Sequence, residues 1–192
     1  MARRLFVGVE IDPRVAAAAG ALVDELRHRA QRLAPRARIT WIPPDRLHLT
    51  VRFIGNVNDV AEHAIRSVLE AAVAVSPFDL SLAGIGAFPG SGRPQVLWAG
   101  LGDGRDRLQQ VERDVTPRLT RAGIPPEGRP YSPHLTLARV REAAGLMAPP
   151  LFDGLERTAL GTTRVEAITL FESRLSPKGP TYVPLQRTFL HG

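Results

Sequence analysis

The sequence contains no cysteine and, among 25 basic residues, only one lysine, Lys178. Without cysteine there is no disulfide and no thiolate metal site. The absence fits a reducing compartment, and a cytoplasmic location is the expectation. Nor is there an apolar run long enough to cross a bilayer as a helix. The opening Met1-Ala2-Arg3-Arg4-Leu5-Phe6-Val7-Gly8-Val9-Glu10 places arginines before a short apolar run, but that run meets Glu10 too soon for a signal-peptide core. It reads as a first strand, and no membrane partner is expected.

Arginine is abundant instead. The net charge is +6 and the pI near 11.0, which favours an anionic partner such as RNA or a nucleotide. Abundant Ala, Gly and Pro beside 24 arginines also match GC-rich coding, so charge alone does not choose a substrate. With 192 residues, 44% of them hydrophobic, the chain can bury a proper core as one domain spanning residues 1–192.

One short pattern occurs twice, 86 positions apart: His48-Leu49-Thr50-Val51 and His134-Leu135-Thr136-Leu137. Both alternate polar with apolar residues and read as strands. Successive strand side chains point to opposite faces. His48 and Thr50 therefore share one face and Leu49 and Val51 the other; His134 and Thr136 are related to Leu135 and Leu137 in the same way.

The spacing predicts strands over Leu5–Ile11, Ile39–Ile42, Leu47–Ile54, Phe78–Phe88, Val96–Leu101, His134–Val140, Val165–Ser173 and Tyr182–Leu190. Asp12-Pro13 is an N-cap followed by a first-turn proline, opening a helix to Leu33 with Val15, Ala19, Leu22, Val23, Leu26 and Leu33 inward. A second helix is expected from Asn58 or Asp59 to Val75, with Ile65, Val68, Leu69 and Ala72 inward. A third runs from Asp106 to Ala122, with Leu108, Val111, Val115 and Leu119 inward and Gly123 beyond its end. A short helix is expected within Glu142–Leu151, and a hairpin turn over Ser176–Pro180. Elements of both kinds are interspersed and the motifs divide the chain evenly. The fold class is α+β: two antiparallel-rich sheets with helices outside, in two lobes related by a pseudo-two-fold axis.

Two imidazoles held close together can divide labour. With an unperturbed pKa near 6.5, one can be neutral and one protonated at the same pH. The neutral ring takes a proton and the protonated ring gives one, an arrangement suited to in-line attack at phosphorus. Threonine hydroxyls can donate to phosphoryl oxygens. No cofactor or metal is needed. A two-histidine metal site is the competing reading, but no carboxylate or cysteine stands at ligand spacing; Asp45 is the one acid near the first motif. A lone His-x-Thr strand is most often structural, and it is the repetition that points to a site. His28, His63 and His191 have no such partner and read as non-catalytic.

These motifs resemble the paired signature of the two-histidine phosphoesterases. The likeness extends over Arg4–Val9, Trp41–Gly55, Leu82–Pro89 and Tyr131–Arg139, and is similar throughout to the RNA 2′,3′-cyclic phosphodiesterase family, historically called 2′-5′ RNA ligases. The resemblance implies a bilobed fold with both motif strands lining a central cleft, acting on RNA ends or cyclic nucleotides. It implies hydrolysis of a terminal 2′,3′-cyclic phosphate to a 2′-phosphomonoester. In that scheme His48 is the proton donor to the departing 3′ oxygen, His134 the proton acceptor from water, and Thr50, Thr136 and Arg139 the phosphate contacts. Arg139 lies at odd spacing from His134, so simple alternation puts it on the wrong face unless a bulge intervenes. Phe53 has the same odd spacing from His48 and reads equally as core or as a stacking surface. The rivals are reversible 2′-5′ ligation at the same site and a non-catalytic module that grips RNA ends. A monomer is expected.

Overall fold

A computed structural model describes residues 2–176 and 179–192. The elements in order are β1 (Arg3–Glu10), α1 (Pro13–Leu33), β2 (Arg38–Trp41), β3 (His48–Val57), α2 (Asp59–Val68), β4 (Phe78–Phe88), β5 (Val96–Leu101), α3 (Arg105–Arg121), β6 (Leu135–Glu142), α4 (Ala148–Phe152), β7 (Ala159–Val165), β8 (Ala167–Arg174) and β9 (Thr181–Phe189). Asp12 caps α1 as its composition suggests, its carboxylate accepting from the Arg14 N–H at 2.7 Å.

The strands join into one sheet of order β7-β4-β5-β6-β3-β1-β8-β9, with β2 added alongside β6. All named strand pairs are antiparallel. The two expected sheets are halves of this one, joined through β3 and β6 at a single residue pair, Leu49 with Leu135. Read outward from that seam, the orders are β3-β1-β8-β9 and β6-β5-β4-β7. In each half a strand, a long helix and a motif strand come in the same sequence order (β1–α1–β3, with β2 inserted before β3, and β5–α3–β6), which is the pseudo-two-fold relation. The helices cross the seam: α1 packs on β7, β6 and α4, and α3 on β3 and α2. One apolar cluster consequently runs beneath both halves.

Several boundaries differ from expectation. α2 stops at Val68, not Val75, leaving Ala72 exposed. The chain leaves the helix because Val73 has better backbone partners elsewhere: its N–H donates to Phe189 O and its carbonyl accepts from His191 N. Leu33, expected inward, is 50% exposed in the last turn of α1. β3 runs through Gly55-Asn56 to Val57, and the short helix is confined to Ala148–Phe152. β7 was not foreseen, because Gly161 and consecutive threonines hide its alternation; it pairs with β4, and Val165 belongs to it and not to β8. At the Ser176–Pro180 turn, Ser176 N and Gly179 O close the hairpin, while Pro177 and Lys178 lie outside the described residues.

Leu49 and Leu135 are fully buried at the seam. Leu49→Ala or Leu135→Ala should each cost about 2–5 kcal/mol in chemical denaturation. A loss under about 1 kcal/mol would mean that the seam is not tightly packed.

Candidate active site

The pairing of Leu49 with Leu135 fixes the register of the motifs. Its antiparallel sense sets His48 across from Thr136 and Thr50 across from His134. The leucines point into the core, so these four side chains share the opposite face, where each is half-buried. The two histidines are then diagonal neighbours across the strand pair, with backbones about 7–8 Å apart.

Each imidazole is held in the same way. His48 Nδ1 lies 3.0 Å from Arg46 O and His134 Nδ1 lies 2.7 Å from Ser132 O, in both cases the carbonyl two residues upstream. A carbonyl only accepts, so Nδ1 carries the proton and Nε2 is left for chemistry. Aromatic rings fix the planes. Phe6 lies 4.7 Å and Tyr182 4.6 Å from the His48 ring, and Phe88 lies 5.0 Å from the His134 ring, with Trp98 behind it. Trp98 lies flat over Gly86, where a Cβ would collide with the indole at 2.2 Å. These aromatics were not singled out from sequence, because which strands flank the motif strands is a matter of topology.

Both strands carry a bulge at the fourth motif residue. The β1–β3 register jumps from Val7–Arg52 to Gly8–Thr50, leaving Val51 unpaired. The β5–β6 register jumps from Leu97–Ala138 to Trp98–Thr136, leaving Leu137 unpaired. One extra residue reverses the alternation beyond it. Arg139 therefore turns to the cleft, exposed, and so does Phe53, which is 49% exposed and 6.3 Å from the Phe6 ring. Arg52 turns inward instead and is 3% exposed. It donates to Pro125 O and pairs with Glu127 at 2.8 Å, while the Tyr131 hydroxyl donates to Thr50 O at 2.9 Å. The loop before the second motif is thus tied to the strand of the first.

His48, Thr50, Thr136, Arg139 and Phe53 line a cavity of about 530 Å³; His134 is not among its lining residues, and the strand register sets it across from Thr50. Arg4, Arg46 and Arg141 also line it, and no described carboxylate does. A neighbouring recess of about 550 Å³ shares His48 and Tyr182 but has neither threonine nor Arg139, so the cleft proper is the former. Among the described residues no three His, Cys, Asp or Glu side chains gather at a point. His28, His63 and His191 are exposed and apart from the site.

Burial lowers the pKa of both His48 and His134 below the ordinary 6.5; the nearby Arg139 cation pushes the same way, and the Nδ1 bonds to carbonyls oppose it. Both rings are then neutral at pH 7 in the free protein. Burial raises the Tyr182 phenol, against the pull of Arg139, Arg46 and Arg4. Imidazole proton NMR should show both site histidines titrating below 6.5, and Arg139→Gln should raise both values. A wild-type midpoint at or above 6.5, or no response to the substitution, would contradict this electrostatic picture. The unfolded chain takes up these protons near 6.5 and the folded chain only at lower pH, so their contribution to stability is present above 6.5 and is lost as pH falls through the folded values.

The family model described as the 2′-5′ RNA ligase superfamily matches residues 13–176. The RNA 2′,3′-cyclic phosphodiesterase of Aeropyrum pernix is 35% identical over 145 residues, 75% of this chain and 82% of the relative. That of Methanothermobacter thermautotrophicus is 27% identical over 185 residues, 95% of this chain and 96% of the relative. The crystal structure of TT0787 of Thermus thermophilus superposes with a TM-score of 0.76 at 28% identity, covering 98% of each chain. Paired His-x-Thr strands at the seam and a match over most of the chain agree: the protein belongs to the 2′-5′ RNA ligase superfamily.

Proposed function

We propose that the chain hydrolyses the terminal 2′,3′-cyclic phosphate of RNA to a 2′-phosphomonoester by acid–base catalysis between its two motif histidines. The observation that carries this is the symmetric placement of both rings: each Nδ1 is tied to a backbone carbonyl and each ring faces the other motif's threonine. The names of relatives such as the Aeropyrum pernix RNA 2′,3′-cyclic phosphodiesterase supply the substrate class.

In this reading His134 Nε2 takes a proton from water as its oxygen attacks phosphorus. The bond from phosphorus to the 3′ oxygen breaks, and His48 delivers its Nε2 proton to that oxygen. His48 must therefore be protonated in the complex although burial and Arg139 lower its pKa. The bound phosphate anion offsets both effects by placing negative charge beside the ring. Thr50 and Thr136 donate to the phosphoryl oxygens, and Arg139 neutralises charge there. Taking His48 as the acid follows what the family likeness implies and not the free protein's electrostatics.

The test is turnover of an oligoribonucleotide ending in a 2′,3′-cyclic phosphate, with EDTA present and the product terminus identified. A 2′-phosphate is expected. A 3′-phosphate, or activity only after metal is restored, would overturn the mechanism. His48→Ala and His134→Ala should each lower kcat at least about 100-fold without moving Tm appreciably. Full activity in either variant would rule out the two-histidine scheme.

A further inference from the structure

β6 carries more than the second motif. Because Leu137 is bulged, His134, Thr136, Arg139 and Arg141 follow one another on the cleft side, while Leu135, Ala138 and Val140 are buried. Thr136, Arg139 and Arg141 all line the cleft cavity. Arg139 and Arg141 are exposed, and no described carboxylate pairs with either. Their neighbours differ: Arg38 is engaged by Glu142 at 3.5 Å and Arg52 by Glu127 at 2.8 Å. The β2–β6 register skips Arg141, a bulge beside which the side chain stays exposed; two alternate residues of a regular strand lie about 6.6–6.8 Å apart, comparable to the separation of successive phosphates along an extended nucleic acid strand.

The direction of the strand matters. His48 is across from Thr136, so β6 runs from Thr136 outward past the His48 side of the site. If His48 protonates the departing 3′ oxygen, the ribose and the RNA leading to it lie on that side.

Resting on the proposed activity, we infer that Arg141 forms a second phosphate subsite that holds the phosphodiester immediately upstream of the reacting terminus, making the enzyme selective for RNA ends over cyclic mononucleotides. Arg139 serves the reacting phosphate and Arg141 the next one. The backbone charge is recognised, so the subsite is indifferent to base sequence. Arg141 is exposed and makes no described polar contact, so its substitution leaves the fold intact.

The test compares adenosine 2′,3′-cyclic phosphate, the diadenosine dinucleotide ending in a 2′,3′-cyclic phosphate, and the same dinucleotide with a neutral methylphosphonate linkage. For the wild type, kcat/KM for the charged dinucleotide should exceed that for the mononucleotide about tenfold, mostly through KM, and the neutral dinucleotide should fall close to the mononucleotide. Arg141→Gln should reduce the advantage to within about twofold and weaken the salt dependence of dinucleotide binding. An undiminished advantage in Arg141→Gln, or equal handling of charged and neutral linkages by the wild type, would overturn the subsite. Failure of the wild type to hydrolyse any of the three would instead overturn the proposed activity. The subsite is then judged by binding of a dinucleotide ending in a 2′-phosphate: a wild-type Kd no tighter than that of Arg141→Gln rejects it, and a several-fold tighter one sustains it.

Discussion

The backbone pairing of Leu49 with Leu135 sets the reaction centre. It is the one residue pair by which the two halves of the sheet are joined, and both side chains are fully buried. Burial of the leucines dictates which face each strand turns to the core, and the period of two then leaves no choice for the histidines and threonines on either side. A slip of one residue would send His134 and Thr136 into the apolar cluster, where unpaired polar groups are costly. Hydrophobic burial on one side of the sheet thereby positions the chemistry on the other. The helices reinforce this by crossing the seam, so that neither half can shift without disturbing the packing of a helix beneath the other.

The electrostatic character of the site follows from its burial. Two imidazoles set among Phe6, Tyr182, Phe88 and Trp98 lose water that would solvate their charged forms, and Arg139 adds a cation within reach of both. The free site therefore holds two imidazoles biased toward the neutral form beside the Arg139 charge, which disfavours a bound cation and favours an anion. A phosphate supplies the missing negative charge, and with it the condition under which one ring can hold a second proton. In the proposed mechanism, substrate binding and readiness for acid catalysis are thus linked through one charge.

Much of this was legible in the sequence because it depends on short-range periodicity. The paired motifs, the buried first strand, the Asp12 cap of α1 and the inward stripe of α3 all follow from spacing and local residue chemistry. What was not legible depends on partners distant in the chain. α2 ends early because the C-terminal residues bind Val73, and β7 exists because β4 offers it an edge; neither partner announces itself locally. The bulges are of the same kind. Nothing in His-Leu-Thr-Val marks its fourth residue as unpaired, so alternation alone left both Arg139 and Phe53 unplaced, although the repetition of the pattern meant that a bulge in one copy had reason to recur in the other.

The symmetry ends just beyond those bulges. Up to the fourth motif residue the two copies are equivalent: the same carbonyl bond at Nδ1, the same threonine two residues on, the same direction of pKa shift. The first side chain that each bulge turns into the cleft differs, Phe53 from one strand and Arg139 from the other. A ring and a cation cannot serve the same part of a nucleotide. The pseudo-two-fold that brings two histidines to one face therefore ends one step beyond the motifs, as a site that takes a polar, directional substrate in one orientation requires. Arg139 lies along β6 on the side of His48, so the asymmetry of the cleft runs along β6 toward that end.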